Sequence, residues 1–129
     1  MNRKIKTLVF SSGGIHGVLF LGAAMELIKR DVISSVTHYI GCSAGSVICA
    51  ILACKIDPLD VISEYLCLDV CDWNAHISPA EGFIKSLRFK NFLCDLFGEK
   101  KLKDISCRLT FSVLNLTKKN SMYIDTDTH

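Results

Sequence analysis

Two short stretches hold the residues best suited to chemistry. Gly41-Cys42-Ser43-Ala44-Gly45 is a G-x-S-x-G pentapeptide between an apolar strand-like run and an apolar helix-like run. In that context a serine stands on a sharp strand-to-helix turn with its hydroxyl exposed at the mouth of the helix. Gly41 and Gly45 permit backbone angles and close approaches that a Cβ would block. Upstream, Ser12-Gly13-Gly14-Ile15-His16-Gly17 also follows a strand-like run and opens a helix. The pair suits acyl transfer, with Ser43 attacking a carbonyl and backbone N–H groups of Gly13, Gly14 and Ile15 holding the oxyanion. For that, Ser43 needs a base within hydrogen-bond reach. The tetrahedral intermediate needs preorganised donors, and losing one typically costs about 3–4 kcal/mol. The N-terminus of the helix after Ser43 adds a dipole that favours negative charge.

The flanking elements must place these two loops side by side. Ile5 to Phe10 reads as a short buried strand, rich in β-branched and aromatic residues. Val18, Leu21, Met25 and Ile28 recur at helical spacing, so a helix is predicted from Val18 to Lys29. A second strand is predicted over Val36–Ile40, followed by a helix over Ser46–Cys54 that is apolar nearly all round and therefore buried. Asp57-Pro58 suits the start of an amphipathic helix through Leu59, Ile62, Leu66 and Val70. Residues 72–88 are irregular. Phe89 to Phe97 reads as a helix stopped at Gly98, Arg108 to Asn115 as a strand, Thr117 to Asn120 as a turn, and Ser121 to Ile124 as a further strand. The alternation of strands and helices predicts an α/β layered fold on a mainly parallel sheet.

Composition narrows the class. The chain has 129 residues, 50% hydrophobic and 22% charged, the make-up of one globular domain over 1–129. A net charge of +2 gives no reason to expect nucleic acid. Charge is uneven, however: residues 85–119 carry nine Lys/Arg against three Asp/Glu, and residues 1–84 carry six against eight. That bias makes a solvated basic face or a surface for anionic headgroups. Seven cysteines, with no secretory signal and no paired zinc spacing, read as buried thiols of a reducing, cytoplasmic compartment. Residues 32–54 lack Asp, Glu, Lys and Arg. Ser34-Ser35, His38 and the Gly-Cys-Ser-Ala-Gly turn make that run a buried strand, turn and helix instead of a membrane span.

Taken together, the Ser12–Gly17 loop and Tyr39-Ile40-Gly41-Cys42-Ser43-Ala44-Gly45-Ser46 resemble the patatin-like phospholipases, and the likeness extends over the whole chain. The resemblance implies a three-layer α/β/α domain that cleaves fatty-acyl esters of lipids with a Ser–Asp dyad and no catalytic histidine. It makes Ser43 the nucleophile and the Gly13–Gly17 loop the oxyanion site, with Gly17, Gly41 and Gly45 as supporting motif positions. It implies no metal and no organic cofactor. Two departures stand out. Ser12 and His16 occupy positions where the family's loop carries glycine and Arg/Lys, and no Asp-Gly, the family's acid motif, occurs anywhere in the chain. The domain is therefore expected to be incomplete at its C-terminus, or catalysis crippled. Asp125 and Asp127, at the end of a predicted strand, are weak substitutes, as are His16 and His76. Trp73, Phe83 and the Phe89–Phe97 helix are core or the lining of an acyl-binding region.

Three other readings fit parts of the sequence. An α/β-hydrolase needs an Asp/Glu and then a His downstream, and too little chain follows Ser43 to hold them. A dinucleotide site built on Ser12-x-Gly14-x-x-Gly17 lacks its first glycine and the acidic residue for the ribose. The third is an inactive patatin-like domain that binds lipid, or a protein partner covering an open sheet edge. The expected partner is a phospholipid or other acyl ester met peripherally at a membrane surface.

Overall fold

The computed structural model describes residues 4–67 and 87–127. Four strands form one sheet in the order β1-β2-β3-β4, with β1 Thr7–Phe10, β2 His38–Cys42, β3 Arg108–Asn115 and β4 Asn120–Asp125. β1, β2 and β3 are parallel, and β4 returns antiparallel along β3. The α-helices are α1 Val18–Lys29, α2 Ala44–Ala53, α3 Pro58–Cys67 and α4 Leu87–Phe97, and short 3₁₀ turns lie at Gly14–Gly17, Ile33–Ser35 and Leu102–Asp104. The α/β class with a mainly parallel sheet is as expected.

Because the strand order 1-2-3 never reverses, right-handed crossovers carry the connecting helices to the same face of the sheet. Leu8, Tyr39, Leu109, Phe10 and Phe111 point from the strands toward that face, alternating along each strand as the pleat requires. α2 lies directly over them. Its Ile48, Cys49, Ile51, Leu52 and Ala53 are all buried, and α1 packs alongside on α2 and α3. The other face carries Val9, 65% exposed, Leu114, 62%, and Tyr123, 69%. A helical layer over that second face is not among the described residues.

Boundaries moved where the turn is tight. β2 continues through Gly41 and Cys42, which pair with Phe111 and Ser112, and α2 begins at Ala44 instead of Ser46. A single residue, Ser43, makes the whole turn. α4 stops where Gly98, at φ +57°, donates its N–H to the Cys94 carbonyl at 2.7 Å, a left-handed helix ending that suits glycine.

Candidate active site

Ser43 stands between the last residue of β2 and the first of α2, with φ +53° and ψ −125°. An L-residue rarely adopts such a conformation, and it persists only where the surroundings impose it. Here they do. A Cβ on Gly41 would lie 2.5 Å from the Ser46 Cα, and one on Gly45 would lie 2.1 Å from the Phe10 carbonyl oxygen. Helix α2 is therefore pressed onto the backbone of β1 and β2, and the chain has one residue in which to turn. The side chain of Ser43 is exposed, and the Ser46 N–H donates to the Ser43 carbonyl at 2.9 Å, so the serine hydroxyl is not consumed as a cap.

The glycine-rich loop abuts this turn. A Cβ on Gly17 would approach the Ala44 Cβ to 2.6 Å, so the loop rests against the residue that follows Ser43. Gly14 takes φ +52° with nothing near its missing Cβ, so its demand for glycine is conformational. The His16 N–H donates to the Gly13 carbonyl at 3.0 Å. The N–H groups at the start of such a turn have no partner within it, and Gly14 and Ile15 hold those positions. Gly13, Gly14 and Ile15 belong to the loop whose last residue, Gly17, rests against Ala44.

From the first turn of α2 an apolar cavity of about 310 Å³ runs between α2, α4 and β3. Val47, Ala50, Leu93, Phe97 and Phe111 line it, and Lys100 and Lys101 stand at the end remote from Ser43. Part of the anticipated Phe89–Phe97 lining is here, since Leu93 and Phe97 face the cavity while Phe92 is buried core. Trp73, Phe83 and His76 lie outside the described residues, as does His129. The contribution of Val47 and Ala50 was not legible beforehand. Their spacing was visible, but a helix apolar all round shows no stripe that marks one side as cavity.

No described residue hydrogen-bonds to the Ser43 hydroxyl. Asp125 is the acid nearest to a role, and the register removes it. It sits opposite Thr110, which sits opposite Ile40, putting Asp125 roughly 10 Å across the sheet and about as far along it from the turn. Its carboxylate is also fully engaged. Thr110 Oγ1 donates at 2.7 Å, the Asp127 N–H at 3.0 Å, and Arg108 Nε at 3.0 Å. The Thr110 hydrogen bond foremost, then the Asp127 N–H and Arg108, hold its pKa down at about 2. His38 Nε2, at 2.8 Å from Thr110 Oγ1, extends this cluster. Sequence reading missed the cluster because its side-chain hydrogen bonds join residues 15 to 72 positions apart and only sheet register brings them together. Asp127 lies 3.4 Å from Arg108 Nε, at the same remote end.

The thiols are less uniformly buried than composition suggested. Cys49 is fully buried, and burial pushes its pKa up to about 12, whereas Cys42 and Cys94 are exposed. The described residues contain no group of three or more His, Cys, Asp or Glu placed to hold a metal, and no helix among them is long and apolar enough to cross a membrane.

Comparison with known proteins agrees with this fold. The model of the family described as patatin-like phospholipase matches residues 8–127. A protein named probable lipid hydrolase 463L, from Invertebrate iridescent virus 6, is 38% identical over 112 residues, a match covering 82% of this chain and 37% of that protein. The chain thus spans little more than a third of the length of the curated relative it matches. No solved structure gives a significant match.

Proposed function

This chain belongs to the patatin-like phospholipase family, and from that premise we propose that it acts as a lipid acyl hydrolase with Ser43 as nucleophile. The observation that carries the proposal is the backbone of Ser43, held at φ +53° at the head of α2 with the Gly17 loop against Ala44. Ser43 Oγ attacks the ester carbonyl carbon and its proton passes to a base. The carbonyl oxygen becomes an oxyanion, held by the N–H groups of Gly13, Gly14 and Ile15 and favoured by the α2 dipole. Collapse expels the alcohol portion of the lipid, which takes up the proton. Water, deprotonated by the same base, then attacks the acyl-serine and releases the fatty acid.

The base in this reading is an aspartate supplied from outside the described residues, since Asp125 is committed to Thr110 and Arg108. The cavity between α2 and α4 receives the acyl chain, its apolar lining starting one helical turn from Ser43. The substrate is met at a membrane surface, in a compartment where the exposed Cys42 and Cys94 stay reduced.

A second reading, a domain that binds lipid without turnover, draws on the lack of a carboxylate at Ser43 among the described residues. Labelling with an alkyl fluorophosphonate separates the two. Modification of the wild-type chain that Ser43→Ala abolishes is the expected result. A folded chain that stays unlabelled favours the binding domain.

A further inference from the structure

β3 and β4 outrun the rest of the sheet. Cys42, the last residue of β2, pairs with Ser112, yet β3 continues to Asn115 with only β4 beside it. Three further residues at about 3.3 Å each lift the hairpin roughly 10 Å beyond the level at which the chain turns at Ser43. The tip, Leu116-Thr117-Lys118-Lys119, is a built turn: the Lys118 N–H donates to Asn115 Oδ1 at 2.9 Å, and Lys119 takes φ +50°. Leu116 is 79% exposed at this tip.

The exposed apolar side chains are not scattered. Nine large ones occur among the described residues, and five belong to this end: Leu114, Leu116, Met122 and Tyr123 on the hairpin, and Leu19 in the first turn of α1. Isolated exposed leucines need no explanation, but a cluster around a reactive end does. Charge is sorted in the same direction. Lys118 and Lys119 occupy the tip, while Asp125 and Asp127 lie at the opposite end of β4, paired with Arg108. Apolar side chains beside lysines, on a hairpin with no Asp or Glu from Arg108 to Ile124, match the boundary between acyl chains and anionic headgroups.

We propose that the overhanging tip Leu116–Lys119 is the element that seats the Ser43 end of the molecule on an anionic bilayer. Leu116 enters the headgroup boundary and Lys118 and Lys119 pair with lipid phosphates, which turns the Ser43 end of the molecule toward the bilayer. The proposal rests on the lipid-hydrolase reading of Ser43 but predicts binding that needs no turnover.

Sedimentation with phosphatidylcholine vesicles, with and without phosphatidylglycerol, tests it. The wild-type chain is expected to bind the anionic vesicles preferentially and to release as salt rises. Reversing both lysines in K118E/K119E should weaken that binding more than about tenfold, and Leu116→Ser should weaken it several-fold. Leu59→Ser, at another exposed leucine on α3, should bind as wild type, as should Ser43→Ala. Circular dichroism confirms that each variant is folded. Equal binding by K118E/K119E and wild type, no preference for anionic vesicles, or no binding at all would overturn the proposal. So would equal capture by soluble polyglutamate that ignores Leu116, which indicates a polyanion instead of a bilayer. Fluorophosphonate labelling in vesicle-free buffer keeps the two readings apart. Labelling without vesicle binding removes only the docking surface, and vesicle binding without labelling removes only the hydrolase.

Discussion

At the scale of single residues, the strain at Ser43 and the satisfaction of Asp125 make opposite demands on stability. A serine at φ +53° and ψ −125° costs of order 1–3 kcal/mol. Glycine would relieve that strain, offset in part by the greater freedom of glycine in the unfolded chain. Ser43→Gly is therefore expected to raise the melting temperature by a few degrees and Ser43→Ala to leave it nearly unchanged, as thermal unfolding would show. Equal midpoints for the two variants would mean that the turn is not strained. Asp125 works in the other sense. Its carboxyl titrates near 2 in the folded protein, below the ordinary 3.8, so its contribution is complete above pH 3.8 and is lost as pH falls toward 2. Asp125→Asn should lower the melting temperature at pH 7, and the gap to wild type should shrink across that acid window. A gap that stays constant with pH would show that the charge is not what Thr110 and Arg108 stabilise.

At the scale of elements, some glycines let backbones touch and others, Gly14 and Gly98, set an angle. Gly45 lies under α2, where a methyl group would collide with the Phe10 carbonyl. Gly45→Ala should cost more than about 3 kcal/mol, read as a fall in the urea midpoint. Gly14 has open space and only its φ of +52° to defend, so Gly14→Ala should cost about 1–2 kcal/mol. A larger loss at Gly14 than at Gly45 would contradict the packing of α2 on β1. The cavity beside α2 supports a prediction of its own. Ala50→Phe should fill it and slow labelling of Ser43 by long-chain alkyl fluorophosphonates, leaving short-chain reagents unaffected. If both reagent classes slow alike, the cavity is not where the alkyl chain lies.

At the scale of the molecule, one sheet face is buried under α2, with α1 packed alongside, and the other is open among the described residues, which decides the reactivity of the thiols. Cys42 ends β2 on the open face and Cys94 lies on the outside of α4, whereas Cys49 is enclosed with a pKa near 12. Alkylation mapped by mass spectrometry should therefore modify Cys42 and Cys94 rapidly in the native state and Cys49 only after unfolding. Rapid native modification of Cys49 would mean that α2 is not held on the sheet. Much of the frame was legible in advance. α1 occupies Val18–Lys29 and β3 Arg108–Asn115, the spans that periodicity marked, because an apolar face repeats locally whatever it packs against. The Gly-x-Ser-x-Gly turn and the glycine-rich loop were also legible, since tight turns demand particular residue types at fixed spacing. Local sequence could not say that Gly41 and Cys42 still belong to β2, because a glycine reads as a turn until Ser46 is seen resting on it. Nor could it show that Asp125 belongs with Thr110 and His38, or that the β3–β4 hairpin rises past Ser43. Those relations depend on strand register between segments up to 72 residues apart, and register is settled only when the strands pair.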